Sequence, residues 1–270
     1  VDIAIEAVFE DMAVKKALFA RFAKGLPADT VLATNTSYLD VNAIFDGIAG
    51  PERCLGLHFF APAHIMKLVE VIRTRHTARE ALASAFALTK RMGKIAVEAG
   101  VCDGFIGNRI LTRYRNAADS LLRTGVLPHE VDSAMTDFGM AMGPYIAQDM
   151  SGLDIAYANR QRNGTKAPIA DHLVEVLGRL GRKTGAGWYD YVEGKPRPSP
   201  TVAEVVHAHQ YGPKTCEDIA AFLIQEMAAE ARAILAEGIA NSAEDIDLVL
   251  VHGYGFPRWR GGLMYHADRP

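Results

Sequence analysis

The 270-residue sequence lacks the features that define several protein classes. Its 29 lysine and arginine residues are outnumbered by 32 aspartate and glutamate residues, and the net charge of −3 does not suit a nucleic-acid binder. No apolar run reaches the ~20 residues that a membrane-spanning helix needs. Three cysteines, Cys54, Cys102 and Cys216, stand far apart without a C-x-x-C spacing. They predict reduced thiols, with neither a disulfide framework nor a metal site.

The first hundred residues alternate strand-like and helix-like segments. Asp11 can cap one helix, and Thr77 with Glu80 has the spacing of a capping box before another. Two apolar strands lie within residues 55–72 and are joined by a proline-containing loop. This order of strands and helices predicts a mostly parallel α/β sheet.

From about residue 103 onward the pattern becomes helical, and it repeats itself. The matched positions are Ala118 with Ala231, Leu122 with Leu235, Gly125 with Gly238, Val126 with Ile239, Asp132 with Asp247 and Gly139 with Gly253. A degenerate repeat of this kind predicts two related helical domains. Because a proline-rich stretch between the copies is typical of a linker, we divide the chain into residues 1–100, 101–195 and 196–270.

Each of the two apolar strands carries one side chain that does not suit it, His58 in the first and Glu70 in the second. A buried carboxylate is costly without a partner, and adjacent strands can bring Glu70 close to His58. A carboxylate beside an imidazole fixes its tautomer and stabilises the imidazolium, which suits proton abstraction from a hydroxyl. The alternatives are a core histidine bonded to backbone and a purely structural pair.

Several short motifs around this pair resemble those of the L-3-hydroxyacyl-CoA dehydrogenases of fatty-acid β-oxidation. In chain order they are residues 6–10, 33–37, 58–63, 66–70, 103–109, 142–144 and 183–187. Residues 252–262 resemble the multifunctional β-oxidation proteins, which fuse an enoyl-CoA hydratase/isomerase ahead of the dehydrogenase. The resemblance implies a Rossmann NAD-binding domain followed by two related helical dehydrogenase C-terminal domains.

The resemblance also implies roles for particular residues. His58 would be the general base for the substrate 3-hydroxyl, with Glu70 orienting it, and Ser37 and Asn108 would bind and polarise the oxygen at substrate C3. The positions that match NAD contacts are Glu10, Lys15, Asn35 and Lys183. Without the resemblance, Ser37 is a turn residue, Asn108 a helix-start residue, and the two lysines are solvated surface residues.

Two departures from the family pattern matter. Ala61 stands where many relatives carry asparagine and some serine, so a side-chain hydrogen bond near the cofactor is absent. No G-x-G-x-x-G loop occurs, although that loop and the helix after it bind the dinucleotide pyrophosphate. We therefore expect residues 1–100 to be the C-terminal part of a Rossmann domain in an N-terminally truncated fragment. The isolated chain is expected to bind NAD poorly and to show little or no activity.

Together these features predict the NAD-dependent dehydrogenase part of a multifunctional β-oxidation enzyme that acts on 3-hydroxyacyl-CoA. The expected partners are a fused or missing N-terminal hydratase and Rossmann segment and a second copy in a homodimer. The expected location is cytoplasmic, or peroxisomal in a eukaryote. One alternative is a catalytically silent fragment whose helical domains serve packing or subunit association. The other is a β-hydroxyacid dehydrogenase with a lysine base, against which the His58–Glu70 pair argues.

Overall fold

The computed structural model describes residues 1–213 and 218–269. Five strands form one sheet in chain order: β1 (Ile3–Glu6), β2 (Val31–Thr34), β3 (Cys54–Phe59), β4 (Leu68–Arg73) and β5 (Ile95–Gly100). Neighbouring strands run parallel except β3 and β4, which are antiparallel, so the predicted mostly parallel sheet is confirmed. Cys54 and Cys102 are free thiols, and Cys216 lies outside the described residues.

Helices follow and interrupt these strands. They are α1 (Met12–Gly25), α2 (Val41–Ile44), α3 (Arg79–Arg91), α4 (Gly107–Leu122), α5 (Pro128–Phe138), α6 (Pro144–Ser151), α7 (Leu153–Asn163), α8 (Pro168–Glu175), α9 (Pro200–Ala208), α10 (Ile219–Ala236), α11 (Ala243–Gly253) and α12 (Leu263–Ala267). A hairpin of β6 (Tyr189–Val192) and β7 (Lys195–Pro198) forms a second sheet. Within the described residues, no helix combines the length and the apolar character needed to cross a membrane.

The chain divides into two compact units. One consists of Val1–Thr112 together with Met227–Pro270, and the other is Arg113–Glu226. In the first unit, one face of the five-stranded sheet packs against α3 through Leu57, Val69 and Ala85. Both β3 and β4 are almost completely buried, which explains why their sequences are continuous apolar runs.

Two helix starts test the capping predictions. Asp11 begins α1 because its carboxylate accepts a hydrogen bond from the Val14 N–H at 2.9 Å, as predicted. The predicted capping box before α3 is wrong. The residue that precedes the helix is Ala78, and the Thr77 hydroxyl donates instead to the Cys54 carbonyl oxygen at 2.7 Å. That hydrogen bond therefore links the segment before α3 to strand β3.

A buried carboxylate joins two helices of the Arg113–Glu226 unit. Asp132 on α5 accepts hydrogen bonds from the backbone N–H groups of Tyr145 and Ile146, both at 2.9 Å, at the amino end of α6. The Tyr189 hydroxyl donates to the same carboxylate at 2.8 Å. A Cβ atom on Gly143 would overlap Asp132, so this close approach requires glycine.

A similar arrangement occurs within the other unit. Asp247 on α11 accepts from the backbone N–H groups of Met264 at 2.6 Å and Tyr265 at 3.1 Å, at the amino end of α12. A Cβ atom on Gly262 would overlap Asp247. The sequence repeat aligns Asp247 with Asp132, and the two side chains perform the same local task.

Candidate active site

His58 and Glu70 form a buried pair on neighbouring strands. They are direct register partners across the antiparallel β3–β4 ladder, which places both side chains on the same face of the sheet. The His58 Nδ1 atom lies 2.7 Å from Glu70 Oε2, and the two residues are 4% and 0% exposed. Because an ionised carboxylate only accepts hydrogen bonds, Nδ1 carries the proton and Nε2 is the ring atom left to accept another.

The second oxygen of Glu70 binds the start of helix α4. Oε1 accepts from the backbone N–H groups of Ile106 at 3.1 Å and Gly107 at 3.0 Å. The amino end of a helix carries partial positive charge and unpaired N–H groups, so it stabilises a carboxylate there. These bonds supply the compensation that a fully buried Glu70 requires, and they join the imidazole to the helix that carries Asn108.

The turn before α4 aims that helix at Glu70. Gly104 has a φ of 76° and Phe105 a φ of 52°, so two consecutive residues take the left-handed conformation. Phe105 is fully buried, and its ring centroid lies 5.7 Å from that of His58. Burial of a large aromatic side chain in this conformation indicates that packing around the imidazole holds the turn in place.

Ser37 and Asn108, which lie far apart in sequence, come together. The Asn108 Nδ2 group donates to the Ser37 carbonyl oxygen at 3.4 Å, and Asn108 Oδ1 accepts from the Tyr254 hydroxyl at 2.8 Å. Ser37 is partly buried and follows strand β2. Glu70 therefore contacts both His58 and the start of α4. That helix carries Asn108, which with Ser37 is predicted to bind a substrate oxygen.

Lys15 is buried in a network of carboxylates. Its ammonium group lies 2.8 and 3.0 Å from the two oxygens of Glu6 and 3.4 Å from Glu10 Oε2, and the residue is 0% exposed. The Thr34 hydroxyl also donates to Glu6. The alternative of a solvated surface lysine is therefore wrong for Lys15.

Glu10 in turn holds the loop that contains Ser37. Its Oε1 atom accepts from the Thr36 hydroxyl at 2.5 Å and from the Ser37 N–H at 2.9 Å. Although burial acts to raise the pKa of Glu10, these hydrogen bonds and the charge of Lys15 together hold that pKa below its ordinary value. Glu10 is therefore ionised near neutral pH.

The other predicted cofactor contacts have different surroundings. Asn35, directly after β2, accepts the Phe59 N–H on its Oδ1 at 3.1 Å and so links the ends of β2 and β3. Lys183 belongs to the Arg113–Glu226 unit, where it is about half exposed and binds Asp154 at 2.6 Å. That hydrogen bond lowers the pKa of Asp154. Ala61, the departure from the family pattern, is exposed.

Sequence reasoning missed several residues that complete this site. Glu6, Phe105 and Tyr254 each contact a predicted site residue, and Glu6 had a signal, since it precedes Lys15 by nine positions in a run that also holds Glu10. Tyr254 had none, because it lies 146 positions from Asn108. Among the described residues, no cluster of acidic, histidine or cysteine side chains has the arrangement of a metal site.

A buried imidazole–carboxylate pair beside a helix amino end, in a mostly parallel sheet, can accept a proton at the second ring nitrogen. Comparison with known proteins is more specific. Residues 1–102 match the 3-hydroxyacyl-CoA dehydrogenase NAD binding domain, and residues 104–191 match the C-terminal domain of the same family. The chain belongs to the 3-hydroxyacyl-CoA dehydrogenase family, which confirms the resemblance inferred from the motifs.

Individual relatives agree with this assignment. The chain is 40% identical to the peroxisomal bifunctional enzyme of Danio rerio, over 99% of this chain and 41% of that protein. It resembles the structure of 3-hydroxybutyryl-CoA dehydrogenase from Escherichia coli, with a TM-score of 0.78, 27% identity, and coverage of 96% of this chain and 74% of that one. For (S)-3-hydroxybutyryl-CoA dehydrogenase from Ralstonia eutropha the TM-score is 0.64, with 31% identity and 71% of each chain covered.

Proposed function

We propose that this chain belongs to the dehydrogenase part of a fatty-acid β-oxidation enzyme, which oxidises (S)-3-hydroxyacyl-CoA to 3-ketoacyl-CoA with NAD. The observation that carries the proposal is the 2.7 Å contact between His58 and Glu70, with Glu70 also bound to the start of α4. The name of the Danio rerio relative, a peroxisomal bifunctional enzyme of which this chain spans 41%, supports the wider assignment.

His58 acts as the general base. With Nδ1 held by Glu70, Nε2 accepts the proton of the substrate 3-hydroxyl, and the carboxylate stabilises the imidazolium that results. Phe60 and Phe105 lie against the imidazole, with ring centroids 4.6 and 5.7 Å away. Their apolar surfaces keep bulk water from competing for the base.

Ser37 and Asn108 bind the oxygen at substrate C3. A hydroxyl and a carboxamide can both donate to an oxygen that changes from hydroxyl to ketone, and such donors favour the more polarised transition state. Support comes from the contact between the two residues and from the bond of Glu70 to Gly107, which directly precedes Asn108.

The described residues fit the nicotinamide half of NAD. Glu10 follows β1 and Asn35 follows β2, beyond the carboxyl ends of parallel strands, where open α/β sheets bind dinucleotides. Lys15 acts there through Glu10, because its own ammonium group is buried, and Lys183 is assigned a contact on the strength of the family resemblance. When bound, NAD supplies the acceptor for the hydride that leaves C3.

The finer organisation is also a proposal. Residues 1–100 supply the later strands of a Rossmann domain, and residues 101–195 and 196–270 are two related helical domains. The matched roles of Asp132 and Asp247 support their relationship. We further propose a homodimer, a fused hydratase segment, and a cytoplasmic location or, in a eukaryote, a peroxisomal one.

The two alternatives are less well supported. A silent packing fragment has no use for a buried imidazole whose second nitrogen is left to accept a proton. A dehydrogenase with a lysine base would need an available amine, whereas Lys15 is fully buried between Glu6 and Glu10.

The direct test is NADH release from NAD and (S)-3-hydroxyacyl-CoA, with the (R) enantiomer as control. It is measured on the 270-residue chain and on a version extended at its amino end. NADH formation with the (S) substrate alone, in either version, supports the proposal. Absence of NADH with both versions and both enantiomers would overturn it.

A further inference from the structure

Tyr254, just after helix α11, reaches the predicted substrate site. Its hydroxyl donates to Asn108 Oδ1 at 2.8 Å. We propose that Tyr254 is a positioning residue, which fixes the Asn108 carboxamide so that an Nδ2 hydrogen faces the substrate oxygen. The inference rests on the proposed function, and it assigns to residues 196–270 a part in the chemistry of the site.

The donor and acceptor atoms of the Asn108 carboxamide determine its orientation. A carboxamide has one carbonyl oxygen that accepts and one NH₂ group that donates twice. The Ser37 carbonyl oxygen can only accept, so the group that faces it at 3.4 Å is Nδ2. The oxygen Oδ1 must then face Tyr254, and one Nδ2 hydrogen remains to be assigned to the substrate.

The wrong orientation would be harmful. If the carboxamide rotated by half a turn, Oδ1 would face the Ser37 carbonyl oxygen and would also face the oxygen of the substrate. Two acceptors in contact repel each other, and the transition state would lose a donor where negative charge develops. A single phenol hydrogen bond that prevents rotation therefore acts on the reaction step more than on substrate binding.

The tyrosine ring is itself held in place. It packs edge-to-face on Phe60, with ring centroids 5.5 Å apart and planes at 88°. At Gly107, the first residue of α4, a Cβ atom would lie 2.5 Å from the Tyr254 ring. The glycine therefore makes room for the ring beside Asn108. A side chain held on two sides delivers its hydroxyl with little loss of conformational freedom.

The sequence repeat supports a special role for this hydroxyl. Aligning Gly139 with Gly253 places Met140 at the position of Tyr254 in the first copy. Met140 is buried and has no group that could hold a carboxamide. The phenol is therefore not a general requirement of this helical element.

The test is Tyr254→Phe, which keeps the ring against Phe60 and Gly107 and removes only the hydroxyl. In the version extended at its amino end, we expect kcat to fall roughly 3- to 10-fold, the usual effect of one neutral hydrogen bond, with KM for both substrates little changed. The matched control is Tyr157→Phe, which removes a phenol hydrogen bond to Glu175 at 2.7 Å in the other unit and should leave kcat unchanged.

A double-mutant cycle separates positioning from packing. If Tyr254 acts through Asn108, Tyr254→Phe should lower kcat further by less than about twofold once Asn108 is alanine. Equal effects of Tyr254→Phe in the wild-type and Asn108→Ala backgrounds would overturn the inference, as would a normal kcat in the single variant.

A spectroscopic readout tests the same contact without turnover. The side-chain NH₂ resonances of Asn108, assigned by their loss in Asn108→Asp, should shift in Tyr254→Phe and stay in place in Tyr157→Phe. Unchanged resonances in Tyr254→Phe would contradict the inference even if the chain is active. Absence of NADH release from the wild type in both versions would instead count against the proposed function, while the resonances still decide the role of Tyr254.

Discussion

Glu70 and Asp132 are both buried carboxylates that accept two backbone N–H groups at the start of a helix. They differ in the third partner. Glu70 binds the imidazole of His58, whereas Asp132 binds the hydroxyl of Tyr189. Burial and the nearby charge of Asp132 raise the pKa of Tyr189 far above its ordinary value, so that phenol does not exchange protons near neutral pH.

The imidazole of His58, in contrast, has a second ring nitrogen that can accept a proton while the first contacts the carboxylate. In both places the partial positive charge at the amino end of a helix stabilises the buried carboxylate. A buried carboxylate at a helix amino end therefore does not by itself identify a catalytic site. The partner on the other oxygen decides whether the carboxylate supports chemistry or structure.

The largest expected effect comes from removing the imidazole. In the version extended at its amino end, His58→Ala should lower kcat by roughly 10²–10⁴, the contribution of a general base, while acyl-CoA binding changes little. Steady-state kinetics and calorimetric titration with acyl-CoA measure the two quantities. The control is His207→Ala, because His207 is exposed on α9. A near-normal kcat in His58→Ala would make the pair structural, like the one at Asp132.

A smaller effect is expected when only the charge of the carboxylate is removed. Glu70→Gln keeps the shape but can no longer stabilise an imidazolium, so kcat should fall roughly 10- to 100-fold. Gln also has one acceptor oxygen for the three donors that Glu70 now binds. An unchanged kcat in a variant that remains folded by circular dichroism would show that Glu70 only serves helix α4.

Part of this site follows from sequence alone. His58 and Glu70 could be paired because apolar strands joined by a short loop lie side by side, and an isolated carboxylate in such a strand needs a partner. Asn108 and Ser37 were found only through the family resemblance, since asparagine and serine are common at helix starts and turns. Their contact depends on how β2 and α4 meet, which local sequence does not encode.

Other parts could not be predicted. The bonds from Ile106 and Gly107 to Glu70 require the left-handed conformation of Phe105, which a bulky residue rarely adopts and sequence patterns do not indicate. The alternative of a solvated surface lysine was wrong for Lys15, because burial beside Glu6 overrode the usual preference of lysine for water. The capping box at Thr77 failed because its hydroxyl found a partner on β3.

The raised pKa of Asp132 makes its contribution to folding stability depend on pH. Burial raises its pKa to about 6, against the hydrogen bonds from the Tyr145 N–H and the Tyr189 hydroxyl, which act to lower it. Because the folded-state pKa exceeds the unfolded value, this group favours folding below its ordinary pKa, and that contribution is lost as the pH rises through about 6.

Asp132→Asn removes that titration. The cost of the substitution, measured as the loss of unfolding free energy in urea, should therefore be larger near pH 5 than near pH 7.5, by about 1 kcal/mol. Dehydrogenase kcat at neutral pH should change far less than in Glu70→Gln. A cost that does not depend on pH would mean that Asp132 remains ionised in the folded protein across this range.

The smallest effect is expected at Asp247, which repeats the arrangement of Asp132 in a more open setting. Its carboxylate accepts from Met264 and Tyr265, but the residue is only partly buried. When Asp247 is replaced by alanine, water can reach the N–H group of the exposed Tyr265, so we expect a loss of about 1 kcal/mol in unfolding free energy, typical of a helix cap. Asp132→Ala leaves the N–H group of the fully buried Tyr145 without a partner and should cost about twice as much or more. The matched control is Ser242→Ala, which removes an ordinary cap at the start of α11, where the serine hydroxyl accepts from Asp245 at 3.2 Å. Equal losses of unfolding free energy at Asp132 and Asp247 would mean that the difference in burial has no effect on stability. The hydrogen bonds alone would then determine how much each carboxylate stabilises the fold.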